Sequence, residues 1–409
     1  MTLTRRAMTL GLAGTALAAC SGAPHLSAPA QTPMQPVANS GYDAWVAGYR
    51  GRALARGIRP ATFDAAFRGA GYLPDVIARD RNQTEFKRSL EDYLALIAND
   101  DRVAEGRAAF ARHRSALTAI ESRHGVDAKV VAGVWGVESR FGTRRGDIPV
   151  ISAVSTLAYD GRRGAFFESQ LDAALKILQE GDTTAAKMRG SWAGAMGHTQ
   201  FIPTSYLAYA VDFDGDGRRD IWDEDPSDAL ASTAAYLARH GWQRGQPWGI
   251  EVRLPAGYSG PLGRGTTRSV AALTAAGVRD MDGQALRDHG SASVIAPDGR
   301  NGPAFVTFRN FTVLTRYNNS ENYVIGVGHL ADRIAGGGPI RGRFPPDAQG
   351  MTMADRQELQ RRLTAVGFDT GGSDGVIGPA SEAAISAYQR SRGMTVTGKA
   401  SPSLLASLR

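Results

Sequence analysis

The sequence predicts a mainly α protein with a small β-containing segment and a separate helical unit at its C-terminal end. Apolar residues recur at three- and four-residue steps from Tyr42 to about Glu121, which is helical spacing. Strand-like alternation is confined to short runs between about Gly249 and Arg316. A Gly/Pro-rich stretch from Gly336 to Gln349 then precedes a new helical pattern that starts near Thr352. The length of 409 residues allows two or three domains and a large core. Lys and Arg total 47 against 40 Asp and Glu, and the basic residues are dispersed, so no nucleic-acid footprint is indicated. A mild positive field suits an anionic polymer instead.

Residues 1–20 read as an export signal. Arg5 and Arg6 precede an apolar run from Ala7 to Leu17, too short for a permanent membrane span, and Leu17-Ala18-Ala19-Cys20 follows. Cys20 is the only cysteine, which excludes an intramolecular disulfide. A lone Cys after small residues at the end of a signal resembles a bacterial lipoprotein box. That resemblance implies cleavage before Cys20, lipidation of Cys20 and hence a membrane partner through an N-terminal lipid anchor. Ser21 resembles the residue of lipoproteins sorted to the outer membrane. Thr4 to Leu10 also resembles a twin-arginine motif, so the general and twin-arginine export routes both stay open. Residues 21–41, rich in Ala, Pro and Ser, read as a flexible tether.

From Tyr42 the residues Trp45, Tyr49, Leu54, Phe63, Phe67, Phe86, Leu90, Tyr93, Leu94 and Ile97 outline a helical scaffold. Pro60 and Pro74 sit just inside helix starts, with Gly57 and Gly71 just beyond helix ends. The scaffold leads into an apolar helix after Asp127, its expected cap, with Val130, Val131, Val134, Trp135 and Val137 ahead of Glu138. A carboxyl group among such neighbours is poorly solvated when charged, so its pKa rises and it can hold a proton near neutral pH, as a general acid must. The competing reading is a helix-end Glu paired with Arg140, Arg144 or Arg145.

Helices are expected over Ile148 to Leu157 and Phe166 to Leu178. Between them lies Tyr159-Asp160-Gly161-Arg162-Arg163-Gly164, either a solvated turn or a cradle for a polar, partly anionic ligand. Ser191 to Tyr206 carries Ala193, Gly194, Ala195 and Gly197, which permit close backbone approach to a neighbouring element or a ligand. In the same stretch Ser191 and Gln200 are neutral hydrogen-bonding groups. Next, Asp212, Asp214 and Asp216 at positions one, three and five, Gly217 at six and Arg218 at seven follow the EF-hand rule for calcium. Asp223 replaces the usual Glu at position twelve, and an acidic turn without metal is the alternative. Beyond it, Ile250 to Leu254 and Ala304 to Phe308 read as strands and Ser269 to Ala276 as a helix. Ser320 is placed to cap a helix running to Ile334, with Tyr317 and Tyr323 facing either a cleft or the core.

Gly-Val-Glu-Ser-Arg-Phe-Gly at 136–142, Ser191 to Tyr206 and Val211 to Trp242 together resemble the lytic murein transglycosylase B family of bacterial cell-wall enzymes. The similarity spans roughly residues 42–335. It implies a lysozyme-like helical catalytic core in which Glu138 is the catalytic acid/base and Ser191 and Gln200 bind substrate near the muramic N-acetyl group. It further implies that Arg162, Arg163, Tyr236, Tyr317 and Tyr323 line the glycan cleft, and that Asp228 completes the calcium loop. The family often has Tyr where this chain has His124 and Phe166; Phe166 keeps a ring for stacking and lacks the hydroxyl. Leu359-Gln360, Gly367-Phe368, Asp374 to Pro379 and Tyr388-Gln389 resemble the small three-helix peptidoglycan-binding domain, which tethers a catalytic domain to the wall. The expected organisation is signal 1–20, tether 21–41, catalytic domain 42–335, linker 336–351 and binding domain 352–409.

Hydrolysis of a glycosidic bond usually takes two carboxylates. The sequence offers no second acid in a setting like that of Glu138, since Asp147 and Asp160 lie in turns. The resemblance therefore implies cleavage of the bond from N-acetylmuramic acid to N-acetylglucosamine in peptidoglycan, with 1,6-anhydromuramic acid as the product. A lysozyme-like hydrolase and a calcium-stabilised, non-catalytic wall-binding lipoprotein are the alternatives.

Overall fold

The computed structural model describes residues 34–82 and 88–409. The signal, Cys20, most of the tether and Phe86 lie outside the described residues. The N-terminal scaffold comprises the helices Ser40–Ala55, Pro60–Phe67, Pro74–Arg81, Leu90–Ile97, Asp100–Arg112 and Arg114–His124. Pro60 and Pro74 occupy first helical positions, where a missing N–H removes no intrahelical bond. Asn39, Ser89 and Asn99 cap three of these helices, each side chain accepting from a backbone N–H three residues on. Tyr49, Phe63, Leu90 and Ile97 are buried, as their spacing predicts.

The helix bearing Glu138 runs Ala128–Ser139 and is buried from Val130 through Val137. Asp127 occupies the cap position without capping: its carboxylate accepts instead from the Trp242 indole at 2.9 Å. The first helical N–H, of Ala128, is satisfied by the Glu121 carboxylate at 3.0 Å. Two glycines let this helix lie against Glu321–Ile334. A Cβ on Gly133 would meet the Val327 carbonyl oxygen at 2.6 Å, and one on Gly136 would meet Phe141 at 2.6 Å. The crossing puts Tyr323, which follows the cap Ser320, beside Glu138.

Helices Val150–Asp160 and Gly164–Glu180 pack together, while Ile148–Pro149 pairs antiparallel with Arg189–Gly190. A helix Ser227–Arg239 follows the acidic loop. The β subdomain is an antiparallel sheet in the order Arg279–Asp280, Gly249–Arg253, Ala304–Thr307, Ser293–Ile295. It has its own core of Val252, Val270, Leu273, Val294 and Val306, separate from the main helical core.

The C-terminal unit opens with a reciprocal capping box between Thr352 and Asp355, and its helices are Met353–Ala365, Pro379–Ser391 and Pro402–Leu408. Leu359, Leu363, Ile385, Tyr388, Leu404 and Leu405 form its core. The Gly/Pro-rich stretch before it is pinned to the body of the protein: the Glu251 carboxylate accepts from the backbone N–H groups of Arg341 and Gly342. Arg356, 3% exposed, pairs with Glu91 at 3.1 Å, Asp92 at 2.7 Å and Asp347 at 3.0 Å, joining the unit to the scaffold. Among the described residues no helix is long and apolar enough to cross a membrane.

Candidate active site

A cleft of about 460 Å³ opens beside the C-terminal end of the helix Ala128–Ser139, and Glu138, Ser191 and Gln200 all line it. Arg79, Arg144, Arg145, Asp147 and Trp192 complete much of its wall. The backbone at the site is held in uncommon conformations. Arg140, Phe141 and Gln200 have φ of 50°, 55° and 54°, the only positive values for non-glycine residues among those described. Arg140 and Phe141 turn the chain sharply just after Glu138, so the helix ends with its carboxylate at the cleft.

Glu138 Oε1 accepts from the Tyr323 hydroxyl at 2.5 Å. Burial pushes the Glu138 carboxyl up to about 7, and the Tyr323 bond acts in the opposite direction by favouring the charged form. Among the described residues Glu138 forms no ion pair; Arg140 pairs with Glu105 and Arg145 with Glu224 at 2.5 Å. The pairing of Glu138 with a neighbouring Arg is therefore not what the structure contains.

Ser191 Oγ accepts from the Ala195 N–H at 3.1 Å, which leaves the hydroxyl proton to donate into the cleft. Gln200 donates both amide hydrogens to protein, to the carbonyls of Arg145 and Gly197 at 2.9 Å each. Its Oε1 is thereby fixed as the group it can offer a ligand, an acceptor for an N–H.

The remaining aromatic candidates, Phe166, Tyr236 and Tyr317, are not among the residues that line this cleft. Tyr236 is buried and donates to the Arg316 carbonyl at 2.6 Å; Tyr317 donates to the Thr199 carbonyl at 2.6 Å. Their rings meet edge-on at 5.1 Å and both pack on Phe201. Phe166 is half-buried and edge-on to Phe167 at 5.1 Å. Arg162 and Arg163 both engage Asp80, whose side chain is 1% exposed, and Arg163 also lies 4.9 Å over the Phe167 ring. These pairs anchor the Gly161–Gly164 turn, which stays at the surface with Gly161 and Arg162 exposed, as the solvated-turn reading has it. Among the described residues the buried His124 Nε2 has no hydrogen-bond partner, and burial holds the pKa of the ring below the usual histidine range.

In the acidic loop, Asp212, Asp214 and Asp216 each bring a carboxylate oxygen to within 4.8 Å of the others. Asp212 accepts from the Gly215 and Gly217 N–H groups at 2.7 and 3.0 Å, and Asp216 from that of Arg218 at 2.8 Å, which curls the chain around the cluster. None of the three forms an ion pair among the described residues. Hard oxygen donors so arranged fit a calcium ion. Asp228 is buried beneath the loop, outside that converging group, and accepts from the N–H groups of Phe213 at 2.8 Å and Asp220 at 2.9 Å. Burial pushes its carboxyl up to about 6.

Sequence reasoning offers Arg144 and Arg145 only as partners for Glu138 and does not single out Arg79 or Trp192. Their place in the cleft wall depends on a fold that brings residues 79, 138–148 and 190–200 together.

Residues 41–332 match the transglycosylase SLT domain family, and residues 352–408 match the putative peptidoglycan binding domain. The chain is 34% identical over 250 residues to the membrane-bound lytic murein transglycosylase B of Escherichia coli K12. That alignment covers 59% of this chain and 66% of the relative, just under two thirds of the relative's length. The fold is similar to the crystal structure of SltB3 from Pseudomonas aeruginosa in complex with NAG-anhNAM-pentapeptide. There the TM-score is 0.73 and the identity 46%, with 91% of this chain and 100% of that one covered. It is also similar to the Escherichia coli lytic transglycosylase Slt35 in complex with calcium, with TM-score 0.62, identity 29%, and 74% and 96% of the two chains covered.

Proposed function

The chain belongs to the transglycosylase SLT domain family, and from that premise we propose that it is a lytic transglycosylase acting on peptidoglycan with Glu138 as its acid and base. It cleaves the β-1,4 bond from N-acetylmuramic acid to N-acetylglucosamine and leaves a 1,6-anhydromuramic end. The observation that carries the reading is the state of Glu138: a carboxyl without an ion pair among the described residues, raised by burial to about 7, on the wall of the cleft. Such a group is protonated often enough at neutral pH to give its proton to the glycosidic oxygen. As a carboxylate held by Tyr323, it then takes the proton of the C6 hydroxyl of the same muramyl residue as that oxygen closes on the anomeric carbon. The attack is intramolecular, so one carboxylate suffices and no water is consumed.

The acceptor offered by Gln200 and the donor offered by Ser191 match the N–H and the carbonyl of an N-acetyl group. Together they would orient that group so that its oxygen faces the developing positive charge at the anomeric carbon. Arg162, Arg163, Phe166, Tyr236, Tyr317 and Tyr323 contribute to binding of the glycan, Tyr323 also through its bond to Glu138. Asp212, Asp214, Asp216 and the Arg218 carbonyl form the calcium loop, which Asp228 completes from beneath by holding the backbone at Phe213 and Asp220, a structural element without a step in the chemistry. The C-terminal unit binds the wall polymer. Cys20 carries the lipid that anchors the protein in the periplasm, on the inner face of the outer membrane. The organisation 1–20, 21–41, 42–335, 336–351 and 352–409 follows from these roles.

Mass spectrometry of muropeptides released from purified peptidoglycan by a form lacking residues 1–20 tests the reading. Products one water lighter than reducing muropeptides are expected, and Glu138→Gln abolishes them. Asp147 lines the same cleft and is the other carboxylate among the described residues of its wall, so it is the candidate for a hydrolase's second acid. Reducing products that vanish in Asp147→Asn would replace the proposal with hydrolysis.

A further inference from the structure

His198 stands between the acidic loop and the helix bearing Glu138, and all four of its polar groups are bonded to one or the other. Toward the loop, its backbone N–H donates to the Ile221 carbonyl at 3.1 Å and Nε2 donates to the Asp223 carbonyl at 2.6 Å. Toward the helix, its carbonyl accepts from Ser139 Oγ at 2.5 Å and Nδ1 accepts from the Trp135 indole at 3.1 Å. An indole N–H only donates and a carbonyl only accepts, so Nδ1 carries the lone pair and Nε2 the proton; Arg145 Nη1, 3.2 Å from Nε2, then shares the Asp223 carbonyl with the ring and does not donate to it. Gly142 lies close against the ring: a Cβ there, where φ is 85°, would sit 2.5 Å from Nδ1.

Arg145 makes a second connection. Nη1 donates to the carbonyls of Trp222 at 2.8 Å and Asp223 at 2.9 Å, and the Arg145 carbonyl accepts from Gln200. The end of the loop, residues 221–224, is thus bonded through His198 to Trp135 and Ser139, which flank Glu138, and through Arg145 to Gln200. Three carboxylates within 4.8 Å of one another repel, and a cation held between them offsets that repulsion.

We propose that His198 is a positioning residue that couples the acidic loop to the cleft, so that filling the loop sets the placement of Glu138 and Gln200 and hence the affinity for glycan. This rests on the function proposed above. The coupling is reciprocal: whatever calcium does for the cleft ligand, the ligand does for calcium.

The test is calorimetry on the full chain with Glu138 intact, using calcium and the fragment GlcNAc-anhydroMurNAc-pentapeptide as probes. The wild-type chain binds the fragment about tenfold more tightly in calcium than in EDTA. In His198→Ala that ratio falls toward one while calcium still binds. His198→Asn keeps an acceptor for Trp135 and His198→Gln a donor for Asp223; each retains half of the bridge and loses the coupling, and both decide the matter if the alanine variant does not fold. A purely structural His198 would lower the unfolding temperature and leave the ratio unchanged. An unchanged ratio in the variants, or a ratio of one in the wild type, overturns the proposal. Failure of the wild type to bind calcium or the fragment overturns the proposed function as well, and is seen before any variant is compared.

Discussion

Replacing Glu138 by Gln should make the protein more stable at neutral pH while abolishing turnover. Burial raises the Glu138 carboxyl from 4.5 to about 7. A carboxyl whose folded pKa is raised binds its proton more tightly in the native state than in the unfolded one. Its contribution to stability is then fully present below the unfolded value of 4.5 and is lost as pH rises through 7. Each pKa unit is worth about 1.4 kcal/mol, so the ionised native state above neutrality gives up about 3 kcal/mol. Gln stays neutral at every pH and keeps an acceptor for Tyr323. The assay is urea unfolding of both proteins from pH 5 to 8. The stability advantage of Glu138→Gln should grow from under about 1 kcal/mol at pH 5 to about 3 kcal/mol at pH 8. A difference that does not change with pH would refute the reasoning, as would a wild type that is the more stable at pH 8.

The rate should fall as pH rises through about 7, where Glu138 loses the proton it must donate. Tyr323→Phe removes a donor that favours the carboxylate, so its alkaline limb, read from kcat/KM against pH, should move up by about one pH unit. Chelation of calcium should lower the unfolding temperature by about 5 °C at calcium concentrations that otherwise saturate the loop, and Asp214→Asn should do the same without a chelator, both read by calorimetry. Arg356→Ala leaves Glu91, Asp92 and Asp347 facing one another without their cation. Loss of a buried partner costs about 3 kcal/mol, so protease cleavage within residues 336–351 should accelerate well beyond the wild-type rate.

The burial of the helix that carries Glu138 is legible in the sequence because it is encoded locally: Val130, Val134, Trp135 and Val137 make it apolar, and all four are buried. Ser320 as a cap, Pro60 and Pro74 as first helical residues and the curled acidic loop are legible for the same reason. What escapes depends on distant segments. Tyr323 reaches Glu138 across 185 positions of sequence. Asp80 claims Arg162 and Arg163 from another helix, and Glu121 takes the capping role that position alone would give to Asp127. The Gly/Pro-rich stretch after Ile334 reads as slack because composition records no partner. Glu251 and Arg356, both outside it, hold it to the body of the protein.

The cost of the site also accounts for the mass of scaffold around it. Three non-glycine residues at positive φ cost on the order of 1 kcal/mol or more apiece. The raised carboxyl adds about 3 kcal/mol at neutral pH. All of these lie within the short segment 138–141 and at residue 200. The opposing stabilisation has to come from elsewhere. It comes from the close crossing of Ala128–Ser139 on Glu321–Ile334, which only Gly133 and Gly136 permit, and from His198, which uses every polar group it has to tie that helix to the loop. A side chain at Gly133 would therefore open the crossing and release the turn after Glu138 before it disturbed the scaffold helices. Activity should fail ahead of the fold.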